Sequence, residues 1–315
     1  MNRPKRLEKG DTIGVISPAS PSEKKSEVQR GVETLEEWGY HVVVGKNVNK
    51  TKGFVAASEE ERASDFNEMF RRDDIDAVFV TQGGYGSAQI ISLLDFDVVR
   101  QNPKIFTGFS DITSLHTALN QLGNLVTFHG PGMARFNGED LTPYTKEQFF
   151  KAVSDPDPLG IIPLRNPKKW IQTWGEGVAE GTLVGGNLTL LCATLGTPYE
   201  AKLDGGILFM EDVDTEPWIF DHMLSHLRNA GFLEKAKGVV VGECKNCKPF
   251  KHRPGFYCDI SLEDVLEYYL KPLGVPVLFG LPLGHTKDMA TLPLGVQVRV
   301  DADQKIFEVL ESGVR

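Results

Sequence analysis

The chain has 315 residues, which exceeds the size at which a single hydrophobic core usually stops growing, so its length predicts two domains. Hydrophobic residues make up 41% of the sequence and charged residues 24%, as in ordinary soluble globular proteins. The net charge of −9 argues against a nucleic-acid partner, because phosphate backbones attract basic surfaces. The N-terminus lacks the apolar core of a signal peptide, and no segment has the roughly 20 apolar residues of a membrane-spanning helix. We therefore expect a cytoplasmic protein with no membrane partner.

Strand-like and helix-like segments alternate through the first part of the chain. Apolar runs predict buried strands at residues 11–17, 41–44, 76–80, 104–109 and 125–128. Helical spacing of apolar residues predicts helices at 23–38, 58–70 and 111–122, and another between the glycine-rich segment 82–86 and residue 94. Ser58 and Glu61 form a capping-box signature at the start of the second helix. This alternation predicts an N-terminal α/β domain over residues 1–135, with a doubly wound and mostly parallel sheet.

The rest of the chain has a different texture. Proline and glycine become frequent after residue 130, and one helical segment is predicted among them, at 145–153. Residues 136–175 are therefore predicted to connect the domains. Residues 176–315 contain short apolar runs typical of strands, an amphipathic helix at 217–229 and a closing hairpin at 296–310. They predict a smaller C-terminal domain of the α+β or barrel-like kind.

Ser110 lies where an apolar strand meets a helix, two residues after Gly108. A nucleophile on such a tight turn needs small neighbours, because the backbone must bend sharply to expose the hydroxyl group. The backbone amide of Asp111, at the start of the helix, is a candidate donor to an oxyanion. The match to Gly-x-Ser-x-Gly is incomplete, since Ile112 stands in place of the second glycine. Serine is also a preferred capping residue, so a helix cap is the alternative.

The segment Gln82-Gly-Gly-Tyr-Gly86 follows a predicted strand and precedes a helix. Its glycines allow a turn with exposed amides, which suits an anion or an oxyanion. It matches neither the P-loop pattern nor the Gly-x-Gly-x-x-Gly pattern, so a nucleotide site is not indicated. A plain tight turn between a strand and a helix is the alternative.

Two further segments carry residues that could work with a serine nucleophile. His285 lies in a loop after a strand, and a histidine can accept the proton of a serine hydroxyl group. Glu211 and Asp212 end an apolar strand, and either carboxylate could orient a histidine. A packing role for the histidine and a solvent-facing role for the carboxylates are the alternatives.

The four cysteines are expected to be reduced in the cytoplasm. Cys244 and Cys247 form a single Cys-x-x-Cys pair, and with His252 and Cys258 they have spacing compatible with zinc. The remaining spacings are irregular, so we predict no metal and interpret the segment as a reduced, polar loop.

Taken together, these segments resemble the LD-carboxypeptidase family of serine peptidases, which also contains the microcin C immunity hydrolases. The resemblance runs over nearly the whole chain, and the joint occurrence of its motifs in one order is far more specific than any single motif. The motifs are Gly10-Asp-Thr-Ile-Gly-Val-Ile-Ser-Pro-Ala-Ser20, Gly83-Gly-Tyr-Gly-Ser87, Gly108-Phe-Ser-Asp-Ile-Thr113, Thr127-Phe-His-Gly-Pro131, Gly181-Thr-Leu-Val-Gly-Gly-Asn-Leu188, Leu208-Phe-Met-Glu-Asp212 and Gly284-His-Thr286.

The resemblance implies a catalytic triad with Ser110 as nucleophile, His285 as general base and Glu211 as the residue that orients His285. Asp212 is the second candidate for the orienting role. The backbone amides of Gly84 and Asp111 would form the oxyanion hole. The family fold implies a flavodoxin-like N-terminal domain that carries the serine, and a C-terminal domain that carries the glutamate and the histidine. It also implies a homodimer that needs no metal or other cofactor.

Gln82 departs from the pattern of many LD-carboxypeptidases, which have arginine at this position. An arginine could bind a substrate carboxylate through two hydrogen bonds, whereas glutamine supplies no charge. Lys287 and Arg135 are the candidates to replace it.

The resemblance implies a peptide substrate, and the first hypothesis is release of terminal D-alanine from murein tetrapeptides. The second is hydrolysis of aminoacyl-adenylate or peptidyl-adenylate conjugates, in which Trp174 would stack on the adenine or else only anchor the linker. A non-catalytic protein that binds peptides or anions is a third hypothesis. A zinc enzyme that uses Cys244, Cys247 and His252 is a fourth.

Overall fold

A computed structural model describes residues 1–136, 141–164, 171–249 and 259–315 of the chain. It has two α/β domains, each built around its own β-sheet, which confirms the predicted fold class. The strands are β1 (Thr12–Ile16), β2 (His41–Val44), β3 (Ala77–Val80), β4 (Ile105–Gly108), β5 (Thr127–His129), β6 (Gly160–Ile161), β7 (Gln172–Trp174), β8 (Val178–Asn187), β9 (Ile207–Glu211), β10 (Gly238–Gly242), β11 (Val277–Leu281), β12 (Leu292–Leu294), β13 (Gln297–Asp301) and β14 (Ile306–Val309). The α-helices are α1 (Lys25–Glu37), α2 (Glu59–Arg71), α3 (Phe96–Gln101), α4 (Thr113–Gln121), α5 (Pro143–Ser154), α6 (Leu188–Thr194), α7 (Pro217–Asn229) and α8 (Leu262–Leu270).

The first sheet has the order β12-β5-β4-β3-β1-β2. Strands β2, β1, β3, β4 and β5 are parallel, and their order is that of a flavodoxin-like doubly wound sheet. All five strands predicted from the apolar runs are present. An additional strand, β12, comes from the second half of the chain and pairs antiparallel with β5 at the edge. The C-terminal part of the chain therefore closes one side of the N-terminal sheet.

The second sheet has the order β6-β14-β13-β8-β9-β10-β11-β7. Its centre, β8 to β11, is parallel, and antiparallel strands complete both sides. The predicted closing hairpin is present as β13 and β14. Two strands of the second sheet, β6 and β7, lie within residues 136–175. The sequence predicts only a connection with a single helix in this range. Strands of two or three residues are too short to show an alternating pattern, so they could not be found from the sequence.

The capping box predicted for α2 is confirmed. The Ser58 hydroxyl oxygen accepts a hydrogen bond from the Glu61 amide at 3.2 Å, and the Glu61 carboxylate accepts one from the Ser58 amide at 3.1 Å. The helix predicted up to residue 94 is instead a 3-10 helix, Ser87–Leu93. The backbone amide of its first residue, Ser87, donates to the Asp111 carboxylate, and this contact holds the start of the short helix in place.

The carboxyl ends of the parallel strands in the first sheet meet at one edge, where open α/β sheets bind their ligands. The loops after β3 and β4, which contain residues 82–86 and Ser110, both lie at this edge. In the described part of the chain, none of the helices has the length and apolar character needed to cross a bilayer.

Candidate active site

Ser110 follows β4 directly and begins a 3-10 helix, Ser110–Ile112, that leads into α4. Its φ angle is +64°, in the left-handed region that residues with a side chain rarely adopt. Such a conformation costs on the order of 1–3 kcal/mol and is typical of a nucleophile at a sharp turn between a strand and a helix. Among the described residues, the Ser110 side chain makes no helix-capping hydrogen bond. The geometry therefore favours the nucleophile over the helix cap.

The segment of residues 82–86, called here the glycine turn, packs directly against Ser110. A side chain at Gly83 would place its Cβ atom 2.9 Å from Ser110 Cβ and 3.3 Å from the Asp111 amide nitrogen. Only glycine therefore leaves room beside Ser110. Gly84 has a φ angle of +102°. Neither the Gly84 amide nor the Asp111 amide donates to another described residue, so both can serve a ligand.

Glu211 and His285 form a hydrogen-bonded pair in the second domain. Glu211 ends β9 and is 1% exposed, and its Oε2 atom accepts a hydrogen bond from His285 Nδ1 at 2.7 Å. The His285 backbone amide donates to the same oxygen at 3.3 Å. Burial alone would raise the pKa of Glu211, but the hydrogen bond and the charge of His285 outweigh it and hold the pKa below its usual value. The carboxylate is therefore ionised and fixes the orientation of the imidazole.

Gly284 makes this contact possible. Its φ angle is +81°, and a Cβ atom there would lie only 2.1 Å from Glu211 Oε2. A side chain at this position would therefore displace the carboxylate from His285.

Asp212 is turned away from His285. Its side chain accepts hydrogen bonds from the Thr189 amide and hydroxyl groups at 3.0 and 2.8 Å, and from the Thr215 hydroxyl at 3.1 Å. Adjacent side chains at a strand end point in opposite directions, which separates the two carboxylates. Glu211, rather than Asp212, is thus the carboxylate that contacts His285.

Ser110 and His285 both line one cavity of about 640 Å³, together with Gly83 and Gly84 of the glycine turn. The Phe109 ring packs against the His285 ring, with 4.9 Å between their centroids. The nucleophile segment and the histidine loop therefore meet across the two domains.

The described part of the cavity wall includes three cations, Arg135, Lys245 and Lys287, and no carboxylate. Arg135 donates to the Thr286 carbonyl at 2.8 Å, which places its guanidinium group next to the histidine loop. Gln82 also lines the cavity, but its side-chain amide donates to the Pro21 carbonyl at 2.6 Å. The cavity therefore suits an anionic ligand.

Trp174 is not among the described residues that line this cavity. It lies in β7, is 8% exposed and stacks on Phe279 with 6.1 Å between ring centroids. The structure thus places it in the hydrophobic core of the second sheet, which corrects the expectation that it contacts a substrate. An aromatic residue near a linker looks the same in a sequence whether it faces a ligand or the core.

Cys244 and Cys247 are buried, and burial raises the pKa of both thiols, that of Cys247 to about 12. His252 and Cys258 lie outside the described residues. Within the described residues, no group of three potential ligands is arranged to hold a metal ion.

Comparison with known proteins identifies the family of this chain. The model of the LD-carboxypeptidase N-terminal domain matches residues 13–130, and that of the LD-carboxypeptidase C-terminal domain matches residues 180–300. This chain belongs to the LD-carboxypeptidase family. It is therefore a hydrolase of a serine peptidase family.

Three relatives of this family member are similar over almost their whole length. A Bacillus subtilis (strain 168) protein named "Probable murein peptide carboxypeptidase" is 41% identical over 313 residues, which cover 99% of this chain and 95% of that protein. The crystal structure of muramoyltetrapeptide carboxypeptidase from Oxalobacter formigenes is 31% identical, with a TM-score of 0.80 and coverage of 95% and 97%. The microcin C7 self immunity protein MccF in complex with aspartyl sulfamoyl adenosine is 29% identical, with a TM-score of 0.89 and full coverage of both chains.

Asn187 is a site residue that the sequence analysis did not identify. It ends β8 and pairs with Glu211 in the parallel register of β8 and β9. Its side-chain amide donates to Glu211 Oε1 at 3.3 Å, and its backbone amide donates to the Thr113 hydroxyl at 2.9 Å. Asn187 therefore supports the carboxylate and also ties it to α4 of the first domain. In the sequence, Asn187 is visible only as part of the motif of residues 181–188, and that motif does not indicate a contact with Glu211.

Proposed function

We propose that this family member is a serine carboxypeptidase that releases terminal D-alanine from murein tetrapeptides, in the recycling of cell-wall peptides. The bond cleaved joins the L-centre of diaminopimelate, or lysine, to D-alanine. The observation that carries the proposal is the convergence of Ser110 and the Glu211–His285 pair on one cavity. The 41% identity to the Bacillus subtilis protein supports the choice of substrate.

The reaction begins when Ser110 attacks the scissile carbonyl carbon and His285 Nε2 accepts the hydroxyl proton. Glu211 stabilises the resulting imidazolium, because its carboxylate is hydrogen-bonded to Nδ1. The amides of Gly84 and Asp111 donate to the oxyanion of the tetrahedral intermediate. His285 then protonates the leaving amine, D-alanine departs, and water hydrolyses the acyl-enzyme by the reverse sequence of proton transfers.

The cations of the cavity account for recognition of the peptide carboxylates. Gln82 is neutral and its side-chain amide is engaged with Pro21, so it is assigned only a polar contact with the peptide. Arg135 and Lys287 lie on the cavity wall next to His285 and supply the positive charge that glutamine lacks. Replacement of Lys287 by methionine is expected to raise KM for the tetrapeptide more than it lowers kcat.

The test is mass spectrometry of murein tetrapeptide after incubation with the protein. The expected result is the tripeptide and free alanine. The Ser110→Ala variant should give no product, whereas Ser26→Ala, at an exposed serine of α1, should match the wild type. Loss of alanine that persists in Ser110→Ala would exclude the proposed nucleophile.

A second candidate function is hydrolysis of aminoacyl-adenylate or peptidyl-adenylate conjugates. The TM-score of 0.89 to MccF bound to aspartyl sulfamoyl adenosine favours it. Stacking of Trp174 on adenine no longer supports it, because Trp174 lies in the core. A side-by-side assay of the tetrapeptide and an aminoacyl-adenylate conjugate separates the two functions, and faster cleavage of the adenylate would replace the first proposal.

We further infer that the protein acts in the cytoplasm as a homodimer, with the nucleophile in residues 1–135 and the histidine and glutamate in residues 176–315. The site of each chain is built between its own two domains. Light scattering after size-exclusion chromatography tests the dimer, and a mass of one chain at working concentration would contradict it.

A further inference from the structure

Arg62 is an arginine buried in the first domain, 2% exposed, on α2. No carboxylate among the described residues forms a salt bridge with it. Its partners are instead three backbone carbonyl oxygens and one side-chain amide oxygen: Ala57 O at 3.1 Å, Pro18 O at 2.6 Å, Gly86 O at 2.7 Å and Gln89 Oε1 at 2.7 Å. Burying a charge is unfavourable unless each donor finds a partner, and here every nitrogen of the guanidinium group has one.

Two of these partners belong to loops at the same sheet edge as the proposed nucleophile. Pro18 follows β1 and Gly86 ends the glycine turn after β3, and β1 and β3 are neighbours in the sheet. One nitrogen atom, Arg62 Nη1, donates to both carbonyl oxygens and so binds the two loops to each other. The position of Gly86 is therefore set by a side chain that does not line the cavity.

The glycine turn is also fixed to the segment that follows the nucleophile. The Ser87 amide donates to the Asp111 carboxylate at 2.8 Å, and the Ser87 hydroxyl donates to the Asp111 carbonyl at 2.6 Å. Burial lowers the pKa of Arg62 and raises that of Asp111, and the attraction between the two charges partly opposes both shifts. Gly86 and Ser87 thus connect Arg62 on one side with Asp111 on the other.

At its other end the glycine turn contacts Ser20. The Ser20 amide donates to the Gly83 carbonyl at 3.2 Å, and the Ser20 hydroxyl oxygen accepts from the Tyr85 amide at 3.1 Å. Ser20 itself lies two residues after Pro18, which Arg62 also holds. Arg62 therefore contacts the chain on both sides of Gly84, directly at Gly86 and, on the Ser20 side, at Pro18.

We propose that Arg62 is a positioning residue for the reaction: it holds the glycine turn so that the Gly84 amide points at the carbonyl oxygen of the substrate attacked by Ser110. This inference rests on the proposed role of Ser110 as nucleophile. Stabilisation of an oxyanion requires donors within about 2.7–3.1 Å of the oxygen, so a shift of a few tenths of an ångström in the turn weakens the transition state more than the bound substrate. Lysine cannot replace Arg62, because a single ammonium group cannot reach acceptors on three sides.

The experiment compares Arg62→Lys and Arg62→Gln with Arg71→Gln, a control at an exposed arginine of the same helix. Two rates are measured: acylation of Ser110 by a fluorophosphonate probe, which does not require a peptide substrate, and release of alanine from murein tetrapeptide. Both variants at position 62 are expected to lose about tenfold to a hundredfold in labelling rate and in kcat per labelled Ser110. KM should stay within about twofold, and Arg71→Gln should match the wild type.

Dividing the rate of alanine release by the number of labelled Ser110 sites distinguishes a positioning role of Arg62 from a role in folding. A purely structural role would reduce the amount of folded protein and leave kcat per labelled Ser110 unchanged, and that result would overturn the inference. If the position 62 variants do not fold, Gln89→Ala, at an exposed acceptor of Arg62, serves in their place. It should lower kcat by a smaller factor and speed hydrogen exchange at residues 83–87, and no change in either quantity would also overturn the inference. A wild-type protein that the probe does not label would instead refute the proposed nucleophile, and with it the proposed function.

Discussion

The two sides of the cavity are built in different ways. On the nucleophile side, formed by Ser110 and the glycine turn, the chemistry depends on backbone geometry: Ser110 and Gly84 both have positive φ angles, +64° and +102°. On the histidine side, formed by Glu211, His285 and Gly284, it depends on a hydrogen bond, 2.7 Å long, between a buried carboxylate and a partly buried imidazole.

This difference determines how each side responds to change. A strained backbone is maintained only when its surroundings hold it in place, so the nucleophile side depends on distant supports such as Arg62. A buried carboxylate is stable only while its partner remains, so the histidine side depends on direct contacts. Substitutions on the two sides should therefore fail in distinguishable ways.

The largest effect is expected from Glu211→Gln on the histidine side. A neutral amide cannot stabilise the imidazolium and also permits the wrong tautomer of His285, as in other serine protease triads, where the corresponding change costs about 10⁴-fold in kcat. KM for the tetrapeptide should change little, because Glu211 is buried behind His285. Steady-state kinetics of alanine release give both constants.

Asp212→Asn is the matched control, since Asp212 is the neighbouring buried carboxylate. It holds Thr189 and Thr215 rather than His285, so its replacement should lower the melting temperature and leave kcat per folded molecule close to that of the wild type. A loss of kcat in Asp212→Asn as large as that in Glu211→Gln would mean that the histidine side does not depend on one direct contact.

A smaller loss is expected from Gly284→Ala, which leaves Glu211 and His285 in the sequence but separates their side chains. The new methyl group would lie 2.1 Å from Glu211 Oε2, so the carboxylate must move away from His285. A displacement of about 1 Å in a catalytic group can cost on the order of 10²-fold in rate. The measurement is kcat, together with the amide and imidazole NMR signals of His285.

Gly274→Ala provides the control for backbone strain. Gly274 has a similar φ angle, +65°, but a Cβ atom there meets nothing within 4 Å. It should lose about 1 kcal/mol of stability and retain kcat. If the two alanine variants lose kcat equally, the effect is strain rather than the displaced carboxylate.

The sequence predicted those parts of the site that depend on local patterns. Ser110 follows an apolar strand and begins a helix, and the segments around it and around His285 occur in the order typical of the family, so both could be named in advance. Arg62 could not, because arginine on an amphipathic helix usually faces solvent, and its burial depends on two segments that are distant in sequence, at Pro18 and at Gly86. Asn187 contacts Glu211 only through the pairing of β8 with β9. For Trp174 the sequence leaves both stacking on a substrate and anchoring of the linker open, because nothing local distinguishes a ligand-facing aromatic ring from one in the core.

The smallest effect on kcat is expected at His129, whose replacement should change the pH dependence of stability instead. It ends β5, is fully buried and packs against Phe209 with 4.9 Å between ring centroids. Neither ring nitrogen has a hydrogen-bond partner among the described residues. Burial lowers the pKa of His129 from 6.5 to about 4, an effect that the charge of Glu211 partly opposes. Between pH 6.5 and about 4, His129 is therefore protonated in the unfolded state and neutral in the folded state.

The sign of the pH dependence follows from this difference. As the pH falls below 6.5 the unfolded state gains a proton at this position and the folded state does not, so stability is lost down to a pH of about 4. A shift of this size corresponds to about 3 kcal/mol. His129→Leu, which has no titrating group and leaves no unpaired nitrogen, should remove that part of the loss while changing stability little at pH 7. Urea unfolding at a series of pH values between 7 and 4 measures the slope, with His222→Gln, an exposed histidine of α7, as the control. An unchanged slope in His129→Leu would show that His129 accepts a proton in the folded protein, and that the interior between the two sides is more polar than its packing indicates.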